Sequence, residues 1–295
     1  VAEPVPVTTA APALGSAPGA PDAVTFSFGA NWQDFISTMP GDAVERALAD
    51  HRRWLEDVVV QGARVLDIGC GSGLHALVFQ LRGAGAVTAI DRDPASVAAT
   101  RQLRGRLGSP AGWTVEEGSI LDQGLVERLA LSPFDIVYSW GVLHHTGALW
   151  QALEHAFRLV APGGRLWISL YAAGPRYARH LALKQRYNAA SRLGKWWLER
   201  RHIALIMWGR LRQGRNPWAW NQAKERGMDT WHDLLDWLGG LPYEVAGIGA
   251  VVAAAGARGF SALRIAEAPE GSCQIFLFQR AADPPAPATA PDHAP

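Results

Sequence analysis

The 295-residue chain is 48% hydrophobic and carries 28 Lys and Arg against 27 Asp and Glu, a formal net charge of +1. That supply of apolar residues supports a sizeable core, and the balanced charge excludes a chain that meets nucleic acid or another polyanion through its overall field. With two cysteines and no apolar run near the roughly 18 residues that a membrane-spanning helix needs, the expectation is a reduced, soluble, cytoplasmic protein built on one enlarged α/β domain. Residues 1–23 are rich in Ala, Pro, Thr and Gly without a basic start, and read as a disordered tail rather than a signal peptide. Residues 282–295 have a similar makeup and read the same way. An aromatic-rich segment, Phe26 to Phe35, precedes the first strand.

Ala63 to Ile68 is a short apolar run suited to a parallel strand covered on both faces, and Leu74 to Leu81 has the composition of the helix that follows. Between them Gly69, Gly71 and Gly73 form a turn whose backbone, free of Cβ atoms, bends sharply and approaches a ligand closely. Asp67 places a carboxylate beside that approach. Cys70 lies inside the turn and far from Cys273 in sequence, and a disulfide there would obstruct a ligand. A second strand, Ala86 to Ile90, ends in Asp91, about twenty residues past the turn, where an acid meets a ribose in nucleotide-binding α/β units. Asp93 and Pro94 then read as the N-cap and first residue of a helix. A third strand, Trp113 to Glu117, runs into Gly118-Ser119-Ile120-Leu121-Asp122, and a fourth, Phe134 to Trp140, into Gly141-Val142-Leu143-His144-His145-Thr146. Pro162-Gly163-Gly164 punctuates the way to a fifth strand, Arg165 to Tyr171. After a long insertion, Ile248 to Gly256 reads as a helix broken at Gly259, and Phe260 to Ala266 with Ser272 to Arg280 as a closing hairpin.

Gly69-x-Gly71-x-Gly73 with Asp67 two positions ahead departs from the dinucleotide fingerprint G-x-G-x-x-G and resembles the first motif of class I S-adenosylmethionine-dependent methyltransferases, in their small-molecule-modifying branch. The order of the strands extends the resemblance over about residues 55–171 and 245–281. It implies an α/β fold: a doubly wound, seven-stranded, Rossmann-like sheet with a C-terminal antiparallel hairpin and a helical lid inserted after the fifth strand. Residues 24–173 would form the donor-binding core, 174–245 the lid, and 246–281 the rest of the core. The implied cofactor is S-adenosylmethionine, held by Asp67, Ile68, Gly69, Cys70, Gly71 and Gly73 at the turn, by Asp91 and Arg92 beside the ribose, by Ser119 and Ile120 at the adenine, and by Ser139 and Trp140 towards the sulfur. The family usually has an acidic residue where this chain has Ser119; a hydroxyl can still reach the adenine amino group, with Asp122 as its alternative. Related enzymes often fold a segment like Phe26 to Phe35 across the active site.

An insertion after the fifth strand projects over the carboxyl ends of the strands, where ligands of open α/β sheets bind. Seven of the chain's 13 Trp fall in it, and between residues 184 and 226 eleven Lys and Arg face two Glu. These residues fit a helical cap with an aromatic core, a pocket for an anionic acceptor held by Arg forks, or a surface that touches an anionic membrane. Single-stranded nucleic acid is a further reading, opposed by the even overall charge. The expected partner is an anionic, partly apolar small molecule methylated on oxygen, nitrogen or carbon, with the oligomeric state left open. An inactive donor-fold scaffold, or an enzyme acting at a membrane lipid or nucleic acid, is the alternative. Candidate bases are His144 and His145, which follow the fourth strand, and His232, which shares a helix face with Asp236 in a helix capped by Asp229 or Thr230. Loop positioning by the first two and lid anchoring by the third are the structural alternatives. No metal is expected, because adjacent histidines cannot easily turn both rings to one ion.

Overall fold

A computed structural model describes residues 28–221 and 230–282. The expected tail at 1–23, Phe26, Asp229 and the chain beyond Ala282 lie outside the described residues. Two helices, α1 (Phe28–Thr38) and α2 (Ala43–Trp54), precede the sheet. Strands β1 (Arg64–Ile68), β2 (Ala86–Asp91), β3 (Trp113–Glu117), β4 (Phe134–Trp140) and β5 (Val160–Tyr171) are parallel, joined by α3 (Leu74–Leu81), α4 (Pro94–Arg106), α5 (Gln123–Ala130) and α6 (Leu149–Arg158). Helices α7 (Tyr177–Ala189), α8 (Arg192–Arg212) and α9 (Thr230–Gly239) follow β5, and α10 (Ile248–Gly256), β6 (Phe260–Ala266) and β7 (Cys273–Arg280) close the chain. The seven-stranded order is β3-β2-β1-β4-β5-β7-β6, with β7 antiparallel to both neighbours.

The alternation of β1 divides the core. Leu66 and Ile68 pack with Val126, Leu153, Phe157 and Val251 on the α5, α6 and α10 side. Val65 faces the other way, among Trp54, Leu77, Phe79 and Ala99. Both faces of a parallel sheet must be covered, and burying each such side chain contributes about 1.5–3 kcal/mol. Asp93 caps α4 by accepting the Ala95 N–H at 2.9 Å, with Pro94 first in the helix.

One boundary differs from the sequence reading. β5 begins at Val160, not Arg165, and its partners on β4 jump from Phe134↔Val160 to Ile136↔Arg165. Pro162-Gly163-Gly164 therefore forms an irregularity within the strand, absorbing extra residues instead of delaying it. Helices α7, α8 and α9 share a small core of Tyr187, Leu198, Ile203, Leu234 and Leu238. Helix α1 packs on α4 on one side and α9 on the other. Among the described residues, no helix is long and apolar enough to cross a membrane.

Candidate active site

The strand order reverses between β1 and β4, and at their carboxyl ends opens a cavity of about 900 Å³. Gly69 of the glycine corner borders it, while Gly71 lies outside its lining. Gly69, at φ 74°, donates its N–H to the Ile90 carbonyl at 2.8 Å, and a Cβ there would lie 2.3 Å from Val142 Cγ2. Gly71, at φ 53°, donates to Asp91 Oδ2 at 3.0 Å, and a Cβ would meet the Trp32 indole at 2.8 Å. Both positions combine a left-handed backbone with no room for a side chain. Gly73 opens α3 and packs on Thr100 of α4, outside the cavity lining. Cys70 is also turned away from the main cavity: its thiol accepts from Thr100 Oγ1 at 3.3 Å, and burial pushes its pKa well up.

Asp91 accepts Gly71 N–H on one oxygen and Asp93 N–H on the other, at 2.9 Å, which fixes its carboxylate at the cavity wall beside Arg92 and Ile120. Burial raises its pKa. Asp67 is 2% exposed and borders a side chamber of about 50 Å³ between Trp32, Ser72, Tyr138 and Trp140. Its Oδ2 is buried without a hydrogen-bond partner, and burial, followed by the charge of Asp91, pushes its pKa up to about 8. A sealed carboxylate oxygen of this kind fits an ammonium group, which would supply the missing partner and restore the charged form. The chamber thus suits an ammonium-bearing end of a ligand whose remainder lies in the main cavity, which Ile68, Gly69 and Asp91 border.

Two donor-side residues stand differently from their sequence reading. Ser119 is not one of them: it borders the cavity, its hydroxyl oxygen accepting Leu121 N–H at 3.1 Å. Asp122 caps α5, accepting Leu125 N–H at 3.0 Å, and lies outside the cavity lining, so it does not replace Ser119. Ser139 is completely buried, donates to the Ile68 carbonyl at 3.1 Å and ties β4 to β1 instead of bordering the cavity. Trp140 and Gly141, next along the chain, do border it.

At the far end, the candidate histidines separate. His145 borders the cavity beside Phe28, with ring centroids 5.2 Å apart. Its Nδ1 lies 2.6 Å from the Pro242 carbonyl, which can only accept, so Nδ1 carries the proton and Nε2 is a bare acceptor. Burial, then the nearby Lys184, pulls its pKa down to about 3. His144 is sealed beneath it: Tyr171 N–H donates to its Nδ1 at 3.2 Å, and it is absent from the cavity wall. This correction follows from the chain direction, which turns one ring of an adjacent pair inward. His232 points to α1, 3.3 Å from Asp34 Oδ2, while Asp236 faces the cavity and accepts from Asn31 Nδ2 at 2.8 Å. Helix α1 meets both residues, since Asn31 Nδ2 also donates to the His232 carbonyl at 3.2 Å.

The rest of that end comes from distant segments: Ile206 of α8, Asp233 and Trp237 of α9, and Tyr171 with its register partner Cys273 on β5 and β7. Neither Tyr171 nor Cys273 carries a local sequence signal for this role; their pairing across antiparallel strands brings them to the wall. None of the insertion's described Lys or Arg borders the cavity. Lys184, the most buried of them, donates to the Trp237 carbonyl beneath the rings of Tyr171, Trp237 and Tyr243, its pKa pulled down to about 7 by burial. Among the described residues, Arg192, Arg200, Arg201 and Arg212 of α8 are exposed and Arg210 is half-buried against the Asn216 carbonyl, while Lys224 and Arg226 lie outside the described residues.

A family model described as a methyltransferase domain matches residues 37–210. Over 126 residues the chain is 32% identical to a ubiquinone biosynthesis O-methyltransferase from Pseudomonas putida, covering 42% of this chain and 51% of that protein. It is 32% identical over 154 residues to a tRNA U34 carboxymethyltransferase from Klebsiella pneumoniae, covering 47% and 42%. The chain thus spans about half the length of the curated relatives it matches. Among solved structures, a magnesium protoporphyrin IX methyltransferase from Synechocystis with bound SAH is similar at TM-score 0.47 and 16% identity, covering 85% of this chain and 84% of that one. With a family match over more than half its length and a glycine corner set against a doubly wound sheet, the chain belongs to the class I S-adenosylmethionine-dependent methyltransferases.

Proposed function

We propose that the enzyme methylates a small molecule with an apolar or aromatic body and a hydrogen-bond-donating or cationic group at the end where it enters. The observation that carries this reading is the far wall of the cavity, where the carboxylates of Asp233 and Asp236 stand among the rings of Phe28, Tyr171 and Trp237, with no Lys or Arg of the insertion described there. A wall of that composition favours a neutral or cationic guest over the anionic one that the sequence composition favours.

Asp91 would hold the donor's ribose, Asp67 its ammonium group, and Ile120 and Ser119 its adenine. When bound, S-adenosylmethionine supplies a methyl carbon already activated by sulfonium charge. The chain's own task is then alignment and proton management. His145 presents a bare Nε2 that accepts a hydrogen bond from the acceptor's nucleophilic hydroxyl or amine; its depressed pKa keeps it neutral, a positioning partner and not a lasting store for the proton. Asp233 and Asp236 are the carboxylates at that wall that take the charge of a protonated group. The test is S-adenosylhomocysteine release with a panel of matched acceptors, amines and phenols against their carboxylated counterparts. Turnover with the first group supports the proposal; turnover confined to the carboxylated acceptors overturns it.

A further inference from the structure

Helix α8 has two faces of different character. Leu198 and Ile203 are buried against α7 and α9, and Ile206 reaches the cavity wall. On the opposite side Leu193, Trp197, Trp208 and Leu211 recur at helical spacing and are 66%, 62%, 56% and 61% exposed. That recurrence forms one stripe. Trp196 and Leu205 flank it, and Trp218 stands 80% exposed just beyond the helix. Arg192, Arg200, Arg201, Arg212 and Arg215 are exposed along the same segment, with Arg212 over the Trp208 ring at 4.8 Å and Arg200 over that of Trp196 at 5.6 Å. The segment's acidic residue, Glu199, is turned inward, accepting from the Tyr187 hydroxyl at 2.8 Å.

Exposed large apolar side chains on a soluble surface mark an interaction site, and here their chemistry selects the partner. A second copy of the chain, apposed through this stripe, would bring two rows of Arg together with no carboxylate to meet them. A nucleic acid would find Trp rings to stack on but also three leucines with nothing to offer a base. Anionic lipid satisfies both components: aliphatic and indole groups enter the acyl boundary while guanidinium groups meet phosphates. We infer that the exposed face of α8 docks the enzyme on an anionic bilayer. Ile206 lines the cavity on the opposite face of the same helix, so the docked enzyme holds its acceptor site about one helix diameter, ~10 Å, from the lipid surface.

The test is co-sedimentation of the full chain with phosphatidylglycerol–phosphatidylcholine vesicles and with phosphatidylcholine vesicles alone. Wild-type protein is expected to bind the anionic vesicles, weaken as salt rises, and ignore the neutral ones. Trp197→Ala with Trp208→Ala, and separately Arg200→Glu with Arg201→Glu, should each reduce binding by roughly tenfold or more. S-adenosylmethionine affinity by calorimetry should stay unchanged in both pairs, which separates lost docking from lost folding and from failure of the acceptor assignment. Absence of vesicle binding by wild type, or binding indifferent to both variant pairs, overturns the inference. So does association through these residues with a second copy, or with single-stranded RNA, in place of vesicles.

Discussion

At the donor end of the cavity the wall is largely backbone, held by glycine and the internally bonded carboxylate of Asp91 within β1, β2 and the turn between β1 and α3. At the acceptor end it is side chains from α1, the loop after β4, the end of β5, α8, α9 and the start of β7. The first kind of wall takes its shape from backbone and short-range hydrogen bonds such as those of Asp91, and on the proposed reading it meets the donor. The second owes its shape to segments that meet only in the folded state, and so can be altered piecemeal while the donor half stays intact.

The contrast can be broken most forcefully at Asp91. Asp91→Ala removes the acceptor for both Gly71 N–H and Asp93 N–H. On the proposed reading it also removes hydrogen bonds from the ribose hydroxyls to a charged group, each worth about 1.5–3 kcal/mol, so donor affinity should fall by about 100-fold or more. Near-normal calorimetric affinity would mean that the ribose is held elsewhere. Asp236→Asn tests the other end: the acceptor's Michaelis constant should rise about tenfold while the donor's dissociation constant stays put. A matching loss in donor affinity would erase the distinction between the two walls.

A proton count sharpens the comparison further. In the free enzyme, Asp67 is raised to about 8 and is largely protonated at pH 7. An ammonium group beside it favours the carboxylate, so its pKa falls on binding and the complex holds fewer protons than the free enzyme. Donor affinity should therefore rise with pH up to about 8 and fall above it as the ligand's own ammonium loses its proton, with net proton release at pH 7, measurable by titration calorimetry in buffers of different ionisation heat. Proton uptake, or none, would detach Asp67 from the donor. The smallest effect is expected on the outer face of α8: Arg200→Ala and Arg201→Ala should leave turnover of a water-soluble acceptor within about twofold, as exposed substitutions do.

Most of the donor wall was legible because it is local. Gly69, Gly71 and the acid at the end of β2 fall within about twenty residues, and strand–turn–helix geometry carries them to one corner. Ser139 misled because alternation along a strand sends neighbouring side chains to opposite faces, and its position relative to Trp140 cannot be fixed without knowing which face is open. The acceptor wall was legible only in outline. Composition marked the insertion as rich in Trp and Arg, but not which helix face each would take; Trp237 turned to the cavity while Trp197 and Trp208 turned outward. His232 and Asp236 lie on one side of α9, where α1, arriving from about 200 residues away, meets both of them.

Helix α1 fastens to both halves: Gly29 N–H donates to Asp93 on the donor side at 2.9 Å, and Asn31 reaches Asp236 on the acceptor side at 2.8 Å, with Trp32 resting over Gly71. A single latch of this kind couples the two vestibules. Seating one reactant steadies the helix that the other must lean against, so occupancy of each site should slow escape from its neighbour, and turnover should follow a sequential rather than a shuttling rate law.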